Sequence, residues 1–152
     1  MSLLSRFYAL LGTIGLYLRS PLLLVIRLYW GYQFFLTGKG KLQHLDRTAA
    51  FFGSLNIPMP RLNAIAASST ECLGGLLLLL GLFSRFTSLA LACVMCVALA
   101  TADREAVLAI FSNPDKFLGA DPFLFLYASV LVFSFGPGKV AVDSLIFKEK
   151  KA

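Results

Sequence analysis

Apolar positions along this chain gather into long runs separated by short polar links, and the runs set the architecture. A helix that crosses the hydrocarbon core of a bilayer needs about 20 residues, in a range near 17–25. Four stretches are predicted to cross. The first runs from Pro21 to about Gly38, with Ser20 as cap and Pro21 at the first helical position. The second covers about Arg61 to Leu82, approached through Pro58-Met59-Pro60, and the third covers Phe86 to Ala102. The fourth opens at Asp121-Pro122, where Asp121 suits a cap, and stops at Gly136-Pro137-Gly138. The expected fold class is all-α: a membrane-embedded four-helix transmembrane bundle with short interfacial helices.

The remaining segments carry weaker patterns. Leu3, Phe7, Leu10, Leu11, Ile14 and Leu18 share one helical face, with Arg6, Thr13 and Arg19 off it. No small-residue cleavage site follows, so residues 1–20 are expected to form a retained interfacial helix rather than a signal peptide. Residues 21–147 then form the membrane domain, and residues 148–152 a basic tail. Asp46 is expected to cap a short helix through Ala49, Phe51, Phe52 and Leu55. Arg104 to Phe111 is amphipathic, and Ser112-Asn113-Pro114-Asp115 is turn chemistry. Both links suit the headgroup layer on one side.

Composition sharpens this picture. The chain of 152 residues is 58% hydrophobic and 14% charged, with a mean hydropathy of +0.78, far more apolar than a soluble domain. The formal charge of +6 flanks the apolar runs, where anionic headgroups would meet it, and forms no nucleic-acid motif. Membrane lipids are therefore the expected partners. Four crossings put both termini on one side. Seven Lys and Arg residues fall there against six on the other side, and the C-terminal lysines favour cytoplasmic termini.

Two ionisable residues interrupt the apolar runs. An ionised side chain at mid-bilayer costs at least about 2.5–3.5 kcal/mol, so such residues face the bundle and take partners. Arg27 shares a face with Gly31, Phe34 and Gly38, and Glu71 shares one with Ala64, Ser68 and Gly75. Small residues let helix backbones approach, so the two faces are expected to meet. At roughly 1.5 Å per residue, Arg27 lies about 9 Å and Glu71 about 16 Å in from the side of the termini. Three readings remain open: an acid–base or ligand-binding pair, a structural pair fixing helix register, or Arg27 snorkelling past a protonated Glu71. Tyr29, Trp30 and Tyr32 line the first span or join an aromatic belt.

Cys93 and Cys96 form a C-x-x-C within the third span, a candidate dithiol whose simpler explanation is two small apolar residues. No accompanying histidine or cysteine has metal-site spacing, so no metal is expected. His44 reads as a solvated link residue and Asp143 as a surface partner for Lys139 or Arg85.

The motifs resemble the DoxX family of small bacterial membrane proteins. The first-span pattern matches Arg27, Gly31, Phe35-Leu36-Thr37-Gly38 and Lys41-Leu42, and the approach to the second span is similar at Asn56-Ile57-Pro58-Met59-Pro60. Glu71, Gly74-Gly75, Leu79-Leu80-Gly81-Leu82 and Ser84-Arg85 match the next run, and Gly136-Pro137-Gly138 with Asp143 the last. The resemblance covers about residues 21–147. It implies a four-helix bundle in a bacterial inner membrane and a redox setting, since relatives include a thiosulfate:quinone oxidoreductase subunit and a protein aiding methylamine dehydrogenase maturation.

Together these readings give an expected membrane subunit of an oxidoreductase system. Its quinone or sulfur-compound site would lie between spans one and two, with Arg27, Tyr29 and Trp30 binding and Glu71 binding and relaying a proton. A protein partner in a redox complex would supply the electrons, and a homo-oligomer stays open. The alternative is a docking or assembly partner without turnover.

Overall fold

The computed structural model describes residues 3–146; the expected basic tail at 148–152 lies outside them. Every regular element among the described residues is helical: α1 (Leu3–Gln43), α2 (Leu45–Ser54), α3 (Pro60–Leu80), α4 (Ser84–Thr101), α5 (Arg104–Leu108), α6 (Pro114–Leu118), α7 (Asp121–Phe135) and α8 (Val142–Ile146). Three helices, α1, α3 and α4, are long and apolar enough to cross a membrane. The fourth expected crossing is the 15-residue α7, about 22 Å long at 1.5 Å per residue and short of a hydrocarbon core of about 30 Å.

The first expected boundary does not exist. Ser20 does not cap a helix, and Pro21 lies inside the 41-residue α1. Proline removes one i to i−4 hydrogen bond, but apolar helix formers on both sides carry the helix through it, as membrane helices tolerate. Two further cap assignments also shift. Asp121 is the first residue of α7, whose cap position is Ala120, and Asp46 sits in the first turn of α2 with His44 at the cap position. Both carboxylates still face the positive end of the helix dipole.

Antiparallel α1 and α3 pack most closely, and α4 packs chiefly on α7. Glycine makes the first contact: a Cβ on Gly38 would come within 2.8 Å of Cys72 Cα and the Ser68 carbonyl oxygen, and one on Gly75 within 2.7 Å of the Gly31 carbonyl oxygen. The register is thus fixed backbone against backbone. Phe34, Leu78, Leu91, Met95 and Val132 form the main core between the helices. A second cluster, Leu99, Ala106 and Ala120 with Phe117 and Phe123, closes the end near α5 and α6.

Candidate functional site

The α1–α3 interface carries an ionic group at each end, and the two groups do not meet. At the end near the termini, Arg27 is 2% exposed. Its Nε donates to the Leu78 carbonyl at 3.2 Å, and Nη1 donates to the Pro137 carbonyl. The guanidinium thus satisfies two carbonyls, one in the last turn of α3 and one in the buried Gly136-Pro137 corner. It lies against Gly81, where a Cβ would be 2.7 Å from the guanidinium carbon. Gly81 ends α3 with φ +69°, a left-handed cap that favours glycine, so backbone and packing both demand it.

Asp143 locks the same corner. Its two carboxylate oxygens accept from the backbone N–H groups of Phe83 and Ser84, each at 2.7 Å, and its own N–H donates to the Gly81 carbonyl. Asp143 is therefore a cap on the first turn of α4, and it holds Phe83 in its left-handed conformation at φ +48°. This carboxylate does structural work that its sequence position, beyond the last apolar run, did not suggest.

At the opposite end, Glu71 is 2% exposed and accepts both oxygens' worth of contact from one ammonium: Lys41 Nζ lies 2.7 and 2.8 Å from its oxygens. Thr37 Oγ1 stands 3.4 Å from Oε2. The Lys41 side chain is 40% exposed, so this ion pair joins a buried carboxylate to the surroundings of the bundle. The Ser68 hydroxyl, one turn before Glu71 on α3, is fully buried and has no hydrogen-bond partner. The turn after the site is tied back by Thr48 Oγ1, which donates to the Lys41 carbonyl.

The expected Arg27–Glu71 pair is thus replaced by Arg27 with two carbonyls and Glu71 with Lys41. Leu78, which Arg27 meets, is seven residues from Glu71, about 10 Å along α3. Depth counted from Pro21 placed Arg27 too far inside, because the level of Gly81, not Pro21, marks its position. Lys41 was missed as a partner although the face Arg27, Gly31, Phe34, Gly38 reaches it with one more step of three.

The other predicted site residues disperse. Tyr29 is 57% exposed and points off the bundle. Trp30 packs edge-on against Phe125 of α7 at 4.9 Å, with Phe34 also against Phe125 at 4.6 Å. Cys93 and Cys96 are free thiols on the exposed side of α4, whereas Leu91, Ala92, Met95 and Leu99 face inward. His44 is exposed. No group of three or more His, Cys, Asp or Glu side chains able to hold a metal occurs among the described residues.

Comparison with known proteins agrees with the motifs. The DoxX family model matches residues 22–104. A Bacillus subtilis (strain 168) protein named "Putative oxidoreductase CatD" is 32% identical over 130 residues, covering 84% of this chain and 89% of that protein. No solved structure matches. A helical membrane chain with these motifs, matched by the family model over more than half its length, belongs to the DoxX family.

Proposed function

We propose that this protein is a membrane subunit of an oxidoreductase system, with its ligand site where Lys41 meets Glu71 between α1 and α3. The observation that carries this reading is a carboxylate 2% exposed inside an apolar bundle, joined to a lysine with open access. Burying a charge costs several kcal/mol unless it is paired, and a membrane helix retains one chiefly where function uses it. The name of the Bacillus subtilis relative supports a redox setting.

The chemistry fits a quinone or a sulfur compound. The Lys41 ammonium is a donor for a carbonyl oxygen or an anionic oxygen, and the unpartnered Ser68 hydroxyl leaves hydrogen-bonding capacity one turn away. Conversion of a quinone to its quinol takes up two electrons and two protons. A redox centre on a partner protein supplies the electrons. Glu71, protonated from water at the Lys41 rim, would pass the two protons one after the other to the ligand oxygens, and Lys41 would balance the carboxylate left after each transfer. Arg27, committed to two carbonyls, positions α3 and the Pro137 corner rather than holding ligand.

The same reading places the chain in a bacterial inner membrane with both termini cytoplasmic and α7 as a fourth, short crossing. The test is mass spectrometry of small molecules retained by the gently solubilised protein, beside Glu71→Gln. A quinone or sulfur compound held by the parent and lost in the variant is the expected result. A folded parent that retains neither would overturn the ligand site and favour a docking partner without turnover.

A further inference from the structure

The bundle leaves the first half of α1 uncovered. Ser20 Oγ accepts from the Lys139 N–H at 2.8 Å, and Arg19 donates to the Phe135 carbonyl and lies over the Phe135 ring at 5.4 Å. These contacts mark the level at which the bundle ends. Every described residue from Leu4 to Arg19 is exposed, among them Leu4 at 76%, Tyr8 at 79% and Leu16 at 70%. At 1.5 Å per residue the 41 residues of α1 extend about 61 Å, twice a hydrocarbon core of about 30 Å. The segment from Pro21 onward, which lies beside α3, already fills one crossing.

We propose that residues 3–20, continuous with the span in this structure, bend at Pro21 when the protein meets an anionic bilayer and lie along its lipid surface on the side of the termini. Pro21 stands where the helix leaves the bundle, and its missing N–H removes the hydrogen bond that would resist bending there. Stepping 100° per residue, Phe7, Leu10, Leu11, Ile14 and Leu18 centre one apolar face, which Leu4 and Tyr17 widen to about 140° of the helix circumference. An arc that broad suits burial to the level of headgroups; a second copy pairing as a coiled coil needs only a narrow seam. Charge agrees: Arg6 and Arg19 are cationic, and no acidic residue precedes Asp46. Anionic headgroups attract such a segment.

The full chain in vesicles of phosphatidylglycerol and phosphatidylcholine tests this. Single cysteines are spin-labelled at positions 5, 7, 9, 11, 12, 14, 16 and 18 in a background with Cys72, Cys93 and Cys96 replaced by alanine. Accessibility to oxygen, which concentrates in lipid, is expected to peak at 7, 11, 14 and 18. Accessibility to a water-soluble nickel chelate is expected to peak at 5, 9, 12 and 16. Uniformly high nickel accessibility would overturn the proposal in favour of an arm standing in water. A stripe shielded from both reagents, with spin–spin broadening between chains, would overturn it in favour of a second copy. Hydrogen exchange of the parent protein in nanodiscs of the same lipids needs no substitution. Slow exchange over residues 4–18 is expected, and fast exchange would contradict lipid contact, because an unsupported helix of that length frays in water.

Discussion

Replacing Gly75 by alanine adds one methyl group, and the structure gives it nowhere to go. The new Cβ would lie 2.7 Å from the Gly31 carbonyl oxygen and closer still to the Phe35 amide nitrogen. Ordinary contact begins near 3.4 Å, so α1 and α3 must part by at least about 0.7 Å, because backbone atoms cannot rotate aside as side chains do. Overpacking of this kind costs about 1–3 kcal/mol, roughly a fivefold to more than hundredfold change in the folding equilibrium at 1.4 kcal/mol per tenfold. The same movement reaches Glu71, one turn away. Its 2.7 and 2.8 Å contacts with Lys41 would lengthen toward about 3.4 Å, past the usual hydrogen-bond range of about 2.7–3.2 Å. Unfolding in mixed micelles, followed by circular dichroism against the mole fraction of denaturing detergent, measures the effect. Gly38→Ala should behave alike. Gly74→Ala meets the Leu91 side chain, which has rotamer freedom, and should lose less. Gly12→Ala meets nothing within 4 Å and should be neutral or slightly stabilising, since alanine favours helix by about 0.5–1 kcal/mol. If Gly75→Ala and Gly12→Ala shift stability equally, the backbone contact is not what fixes this interface.

Arg27→Met keeps the bulk but strands the Pro137 carbonyl, while the Leu78 carbonyl keeps the Gly81 N–H; a loss of about 1–3 kcal/mol in the same unfolding assay is expected, and an unchanged midpoint would refute the clamp. Asp143→Ala removes the two acceptors at the start of α4 and should cost about 1–2 kcal/mol, with faster hydrogen exchange at Phe83 and Ser84; unchanged exchange would count against the cap. At the α5–α6 link, the hydrogen bond and charge of Lys116 hold the Glu105 carboxyl below the usual carboxylate range. The sign follows from linkage: this contribution is complete above the ordinary glutamate value and disappears as pH falls through the lowered one. A carboxyl titration by NMR should show Glu105 returning to the ordinary value in Lys116→Met, and an unmoved titration would sink the pairing.

Much of the fold was legible because a bilayer demands long apolar runs. α3 and α4 begin and end within two residues of the predicted spans, and the Gly136-Pro137-Gly138 stop falls where α7 ends. Local signals misled where tertiary context overrode them. Ser20-Pro21 has the chemistry of a helix start, yet the apolar segment before it is itself helical and continuous with the span. Ranking Arg27 beside Glu71 failed because register between antiparallel helices depends on which glycines meet, a fact no single helix carries. Glu71 itself was legible as a buried carboxylate, since the cost of such a group singles it out. Its partner was one helical step beyond the face already identified, at the polar rim where a lysine passes for a solvated charge. Asp143 was unreadable for a different reason: its partners are backbone N–H groups 59 and 60 residues away.

The central claim is that the Lys41–Glu71 pair serves a ligand rather than stability alone. Lys41→Met combined with Glu71→Leu removes both charges together, and replacing a buried pair by apolar groups of similar size is often neutral or stabilising. The measurement is equilibrium binding of a short-chain quinone, and separately of thiosulfate, to the parent and to this double variant in nanodiscs, with unfolding midpoints recorded for both. Binding of one of these by the parent, lost in an equally stable double variant, is the expected result. Binding that persists in the double variant would contradict the claim and leave the pair as a device for holding α1 against α3.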